Sequence, residues 1–122
     1  MNINNICRFL VIILTELLVS CSNRDTENPG DILEFEINLT TNQIFQFELG
    51  GMAVEGGYSI SNTGNHSSVC EIKFSPEDKL IFEYQPENGY AGTDFVEIRN
   101  CVSAGGPDCV QVVLYRFYFR IE

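Results

Sequence analysis

The sequence is poor in basic side chains, in histidine and in long apolar runs, and each shortage excludes a class of protein. Seven lysine and arginine residues stand against 17 acidic residues, which gives a formal net charge of −10 over 122 residues. Because nucleic-acid binding relies on basic patches that face phosphates, this balance argues against a nucleic-acid partner. The length predicts one domain with a small core.

The shortage of histidine argues against catalysis. The single histidine, His66, lies in the polar segment 62–68 and is followed by Ser67 and Ser68, but adjacency in sequence does not give the geometry of a catalytic triad. Paired carboxylates such as Glu34 with Glu36 fall on one solvent face and do not indicate a buried cleft. We therefore predict no catalytic residues, no cofactor and no enzymatic activity. A hydrolase that uses His66 is kept as a third hypothesis.

The longest apolar run, residues 9–19, is too short for a membrane helix, which needs about 20 apolar residues. Arg8 precedes this run and small residues follow it, which is typical of a secretory signal. Residues 18–21, Leu-Val-Ser-Cys, resemble the lipobox of bacterial lipoproteins. The resemblance implies a signal peptide over residues 1–20, cleavage before Cys21, and acylation of its thiol and amino group. Two or more acyl chains give stable membrane anchoring.

The segment after this cysteine is polar and is predicted to be a tether. Ser22 to Asp31 contains no apolar side chain except Pro29, so residues 21–30 are interpreted as a flexible linker. In the enterobacterial sorting pattern, a serine after the cysteine favours outer-membrane delivery. We therefore expect an exported protein held by acylated Cys21 in the outer membrane of a Gram-negative bacterium, on its periplasmic or its surface side.

From residue 31 onward the apolar side chains recur at every second position, and no stretch keeps a helical period. Turn residues separate the alternating runs, which cover residues 33–37, 45–49, 58–61, 70–74, 80–85, 96–99 and 110–121. Alternation with one polar face is typical of antiparallel sheets packed on one side. About seven short strands predict an all-β domain over residues 31–122, folded as an antiparallel, immunoglobulin-like β-sandwich.

Residues 80–98, LIFEYQPENGYAGTDFVEI, resemble the late-strand signature of bacterial immunoglobulin-like and cadherin-like surface domains. The shared pattern is Tyr-x-Pro at a strand end, a loop rich in Gly and Asn with one aromatic residue, and then Gly-Thr-Asp before the next strand. From the residues themselves, we expect Tyr90 to plug the end of the sandwich and Asp94 to accept backbone amides in its own turn. Asp94 and Asp108 could help to bind calcium, but no cluster of ligands supports a metal site.

Three cysteines remain once Cys7 is removed with the signal peptide and Cys21 is taken up by lipid. Cys101 and Cys109 flank a Gly-Gly-Pro turn between two predicted strands, so we predict a disulfide between them at the base of a hairpin. Cys70 is in phase with Ile72 and Phe74 and is interpreted as a small buried residue. A bridge from Cys70 to one of the other two is the alternative. A metal site built from the three cysteines is a third interpretation, which no Cys-x-x-Cys spacing supports.

These features together predict a monomeric, non-enzymatic envelope lipoprotein that presents one immunoglobulin-like domain for adhesion, ligand capture or assembly with a larger envelope complex. The alternative function is a protease inhibitor of immunoglobulin-like fold that acts through its end loops. The sequence does not match the Asn-Pro-Thr-Thr-Gly-Tyr loop of such inhibitors, of which only Gly56-Gly57-Tyr58 survives. A protein or glycan partner would bind at the loops. The candidate binding residues are Glu55, Tyr58, Asn65, His66 and Asp108.

Overall fold

The computed structural model describes residues 30–50 and 56–122, which form seven β-strands. The strands are β1 (Asp31–Leu39), β2 (Phe45–Glu48), β3 (Gly56–Asn62), β4 (Ser67–Phe74), β5 (Leu80–Pro86), β6 (Gly92–Ser103) and β7 (Cys109–Ile121). The predicted signal peptide, Cys21 and most of the predicted tether lie outside the described residues, as does Glu55. A helix of sufficient length and apolarity to cross a membrane does not occur within these two ranges.

The strands form two sheets that face each other. The larger sheet has the order β1-β7-β6-β3 and the smaller has the order β2-β5-β4. Neighbouring strands are antiparallel except for β1 and β7, which run parallel, with Asp31 opposite Val113 and Leu39 opposite Ile121. Parallel neighbours need a long connection, and the other five strands supply it here. The predicted seven-stranded, all-β sandwich is therefore confirmed.

The strand grouping matches the immunoglobulin fold only in part. One sheet contains β3, β6 and β7 and the other contains β2, β5 and β4, as in constant-type immunoglobulin domains. In those domains the first strand joins the second sheet, whereas β1 lies here beside β7. The immunoglobulin-like assignment therefore stays a prediction.

The core lies between the sheets and is dominated by aromatic rings. Phe82 on β5 and Phe117 on β7 are fully buried, and their ring centroids are 5.0 Å apart. Phe35, Phe45 and Phe47 from β1 and β2 surround Phe117 at centroid distances of 5.1, 5.9 and 5.2 Å. Burying each such ring contributes roughly 1.5–3 kcal/mol. This cluster joins the two sheets and thereby fixes the positions of the loops at either end.

The strand directions divide the loops between two ends of the sandwich. The loops 40–44, 63–66 and 87–91 lie together at what we call the distal end. The loops 75–79 and 104–108 lie at the opposite end, where the chain enters the sandwich at Gly30 and which we call the entry end. The two groups of loops therefore form separate surfaces at opposite ends of the sandwich.

The predicted hairpin disulfide is confirmed, and the third cysteine of the domain is free. Cys101 and Cys109 form a disulfide, with their Cα atoms 5.3 Å apart, and it closes the β6–β7 hairpin at the entry end. Cys70 is free and half-buried on β4. Burial raises the pKa of its thiol to about 11, and the negative charge of Asp94 adds to the rise. This cysteine is therefore protonated near neutral pH and is a poor nucleophile.

Candidate functional site at the distal end

A buried carboxylate holds the distal end together. Asp94 lies near the start of β6 and is only 8% exposed. Its Oδ1 accepts hydrogen bonds from the backbone N–H groups of Asn65 (2.9 Å) and Phe95 (3.0 Å). Its Oδ2 accepts from the His66 backbone N–H (3.1 Å) and the Tyr84 hydroxyl (2.7 Å). The carboxylate therefore ties the 63–66 loop to β5 and β6.

These hydrogen bonds also decide the charge of the carboxylate. Burial alone would raise the pKa of Asp94, because it penalises the charged form. The four hydrogen bonds outweigh burial and hold the pKa below the ordinary value of 3.8. Asp94 is therefore ionised at neutral pH. With four donors already on its two oxygens, it is a structural anchor and is not available as a general base.

The 63–66 loop approaches this carboxylate so closely that one position requires glycine. Gly64 has φ of +75°, and a Cβ added to it would lie 2.7 Å from Oδ2 and 2.9 Å from Oδ1 of Asp94. The Gly64 N–H donates to the Asn62 side chain at 3.0 Å. Both the backbone conformation and the space beside it therefore exclude a side chain here.

The rim of the distal end carries a pair of stacked rings. His66 and Tyr90 have ring centroids 4.1 Å apart and an interplanar angle of 9°. The Tyr90 hydroxyl donates to the Thr93 carbonyl at 2.8 Å, and the ring also packs against the core, where the sequence placed it. His66 Nδ1 lies 3.7 Å from Glu87 Oε2. These contacts give the loop a defined outer surface.

The hydroxyl groups next to His66 are engaged elsewhere. The Ser67 and Ser68 hydroxyls donate to backbone carbonyl groups at 3.0–3.3 Å. Asp94 contacts the backbone of His66 rather than its ring. A serine hydrolase needs a hydroxyl held by the histidine ring and a carboxylate that orients that ring. The Glu87 carboxylate lies near the His66 ring, at 3.7 Å, but the hydroxyl groups of Ser67 and Ser68 both donate to carbonyl groups instead of to the ring.

A groove of about 480 Å³ lies beside the 63–66 loop, over the larger sheet. Ile37, Asp94 and Phe119 pair in register and point towards the core, so the residues on either side of them point outward. Asn65 and His66 also line the groove. The outward side chains in its lining are Glu36, Asn38, Thr93, Phe95, Tyr118 and Arg120. The volume falls in the range of small-ligand sites.

The groove combines aromatic faces with polar groups. The rings of Phe95 and Tyr118 have centroids 5.1 Å apart, and Tyr118 is 41% exposed. The Tyr118 hydroxyl donates to Glu34 Oε1 at 3.1 Å, which fixes the ring. Arg120 lies in register between Asn38 and Thr93. The surface therefore offers a hydrophobic contact, a cation and several hydrogen-bonding groups within one concave region.

The candidate binding residues predicted from the sequence do not lie together. Asn65 and His66 are at the distal end, whereas Asp108 is exposed in the 104–108 loop at the entry end. Tyr58 lies within β3, and its hydroxyl donates to the Leu49 carbonyl at 2.5 Å. Burial raises the pKa of Tyr58 to about 12, with a further contribution from Tyr115. The structure thus brings two of these residues together at the groove.

The two aspartates considered for calcium lie at opposite ends. Asp94 is saturated with hydrogen bonds, and Asp108 is exposed at the entry end. Within residues 30–50 and 56–122, three or more potential metal ligands do not come together.

The outer-face residues of the groove were missed at the level of sequence. Alternation placed Phe95, Tyr118 and Arg120 on a solvent face, without indicating that they share one surface. They meet because β6 and β7 pair with Phe95 opposite Tyr118 and Thr93 opposite Arg120. That register is a tertiary property, and the only signal in the sequence was an aromatic residue at two outward positions.

Comparisons with known proteins identify no family for this chain. None of the protein-family models matches it, and none of the curated proteins does. Among solved structures, the chain is similar to the crystal structure of the cysteine protease inhibitor EhICP2 from Entamoeba histolytica, at 18% sequence identity. The match covers 74% of this chain and 94% of that chain, with a TM-score of 0.38. A likeness at this level carries no weight for function.

Proposed function

We propose that the protein is a non-enzymatic envelope lipoprotein that captures a ligand with the distal end of its sandwich. The groove beside the 63–66 loop carries this proposal, because it is a concave surface with exposed aromatic and polar side chains. The hydrogen bonds to Asp94 hold one wall of the groove in place before any ligand arrives. A preformed wall lowers the conformational cost of binding.

The position of the groove suits a membrane-anchored protein. The chain enters the sandwich at Gly30, at the end opposite the groove. If Cys21 is acylated, the residues from 22 to 30 span at most ~30 Å of extended chain. The anchor is then attached at the entry end, and the groove lies at the opposite end of the sandwich.

The anchoring part of the proposal is tested by metabolic labelling with a fatty acid. The wild-type protein is expected to incorporate label and to fractionate with the envelope. Cys21→Ser is expected to lose both properties, and Cys7→Ser is the matched control. Equal labelling of wild type and Cys21→Ser would refute lipidation at this residue.

The binding part is tested by recovering partners from envelope fractions with two variants that differ in the end they alter. Tyr118→Ala changes the groove, and Asp108→Ala changes an exposed side chain at the entry end. We expect Tyr118→Ala to lose partners that wild type and Asp108→Ala both retain. Loss with Asp108→Ala alone would contradict binding at the distal end.

A second candidate function is protease inhibition through the entry end. The loops 75–79 and 104–108 both lie there, and β3 starts there with Gly56, Gly57 and Tyr58. Several loops at one end of a sandwich fit the way in which small immunoglobulin-like inhibitors enter a protease cleft. Inhibition of a panel of cysteine and serine proteases, lost in Asp108→Ala but kept in Tyr118→Ala, would support this function over the first.

A further inference from the structure

One cation in the described part of the chain lacks a partner. Residues 30–50 and 56–122 contain five lysine and arginine residues. Three of them form ion pairs: Lys73 with Glu71 and Glu83, Lys79 with Glu48, and Arg116 with Glu34 and Glu97. Arg99 contacts Cys109 Sγ at 3.6 Å and has further interactions. The side chain of Arg120, in the groove, makes no hydrogen bond or ion pair with any residue of these ranges.

This exception is informative because acids are abundant. The chain has 17 acidic residues for seven basic ones, so an arginine on its surface has many possible partners. Arg116, four residues earlier on the same outer face of β7, does have a partner, because its Nε donates to Glu97 Oε2 at 2.9 Å. Arg120 instead lies between two neutral residues, Asn38 and Thr93. Its guanidinium is left available to an external anion.

We propose that Arg120 is the anion contact of a binding site for a sugar acid, such as a hexuronate unit of a polysaccharide. This inference rests on the proposed function and specifies the ligand class for the same groove. A guanidinium binds a carboxylate through two parallel N–H···O hydrogen bonds, which matches the planar carboxylate of such a sugar.

The other groove side chains fit the rest of a sugar ring. The exposed ring of Tyr118 and the half-buried ring of Phe95 beside it offer an apolar face to the C–H groups of the sugar. Asn38 and Thr93, on either side of Arg120, supply donors and acceptors for ring hydroxyls. A ligand with a carboxylate on a hydroxylated ring uses all of these groups at once.

A nearby carboxylate favours a singly charged ligand group. Glu36 also lines the groove and lies on β1 opposite Tyr118. It repels a doubly charged phosphate more strongly than a carboxylate, and it can accept a hydrogen bond from a sugar hydroxyl. The overall charge of −10 acts in the same direction.

The experiment is a calorimetric titration of the full-length protein, in detergent, with a galacturonate trisaccharide. The methyl ester of the same trisaccharide keeps the rings and removes the charges. We expect the acid to bind about tenfold or more tightly than the ester. Arg120→Gln should lose that advantage while it binds the ester like wild type. Lys79→Gln, which removes one positive charge at the entry end, should match wild type.

Several results would overturn the inference. The first is equal affinity of the wild-type protein for the acid and the ester. The second is an affinity of Arg120→Gln for the acid that equals the wild-type affinity. The third is no binding of the acid to the wild-type protein at about 10 mM, a weak limit for a specific site. Tighter, Arg120-dependent binding of a short peptide with a free C-terminal carboxylate would overturn the sugar class. The proposed function fails separately, through partner recovery by Tyr118→Ala. A thermal melt of Arg120→Gln that matches wild type shows that the variant is folded.

Discussion

Removing the Asp94 carboxylate should destabilise the protein more than any other change of a single acidic side chain in the described part of the chain. The Asp94→Ala variant leaves four donors without their acceptor: three backbone N–H groups and the hydroxyl of Tyr84, a residue with no exposed surface. A buried unsatisfied donor costs about 1–3 kcal/mol, and a donor that water can reach costs less. Taking about 1–2 kcal/mol for the tyrosine and about 0.5–1 kcal/mol for each of the three N–H groups, we expect the free energy of unfolding to fall by about 2.5–5 kcal/mol.

The assay is urea denaturation with the disulfide kept oxidised. A loss of this size lowers the urea midpoint by on the order of 2 M. Tyr84→Phe removes one of the four donors and should cost about 1–2 kcal/mol. Asp108→Ala, which removes an exposed aspartate at the entry end, is the matched control and should stay within about 0.5 kcal/mol of wild type. Equal midpoints for Asp94→Ala and Asp108→Ala would refute the role assigned to this carboxylate.

The same carboxylate makes stability depend on pH in a defined direction. The pKa of Asp94 is lower in the folded protein than its ordinary value of 3.8. Its contribution is therefore fully present above that value and is lost as pH falls through the folded pKa. Stability of the wild-type protein should drop below about pH 4, and Asp94→Asn should show a shallower drop. An identical pH profile for the two proteins would contradict this linkage.

Three further predictions address the loop, the disulfide and the free thiol. Gly64→Ala and Gly89→Ala place a side chain at nearly the same φ, +75° and +77°, but only the former meets a neighbour. We expect Gly89→Ala to lower the free energy of unfolding by about 1–2 kcal/mol and Gly64→Ala to lower it by about 1–2 kcal/mol more in the same denaturation assay. Equal losses would refute the close approach of Gly64 to Asp94. Replacing Cys101 and Cys109 together by serine opens a loop of eight residues and should lower the free energy of unfolding by about 2.5 kcal/mol. The measurement is the thermal midpoint, which should fall; an unchanged midpoint would show that the disulfide does not stabilise the domain. Cys70 should react with iodoacetamide at pH 8 much more slowly in the folded than in the urea-unfolded protein, because its pKa is raised to about 11; equal rates would contradict its burial.

The core was predictable because alternation is a local signal. Phe82, Val96 and Phe117 lie on the faces that the period of two assigned to the interior, and all three are fully buried. The hairpin disulfide was predictable for a similar reason, since its cysteines lie close in sequence on either side of a turn.

Features that depend on distant pairing were not predictable. Alternation placed the start of the third run at residue 58, but Gly56 and Gly57 also belong to β3 because Gly57 pairs with Cys101 of β6. Asp94 was expected to accept backbone amides in its own turn, and it does accept a hydrogen bond from the Phe95 N–H. Its other three donors, however, belong to the 63–66 loop and to β5, at least ten residues away along the chain. The groove depends on the register of three strands. Each of these contacts forms only after the sheets have assembled.

The parallel pair of β1 and β7 determines how the domain would carry a mechanical load. The chain enters β1 at the entry end, where the Gly30 N–H donates to the Val112 carbonyl at 2.9 Å, and β7 ends at the distal end. A pull on the distal end, resisted at Gly30, therefore runs along both strands rather than across them. The nine paired positions of β1 are then sheared together instead of being opened one at a time. Such a ladder resists extension with all its hydrogen bonds at once.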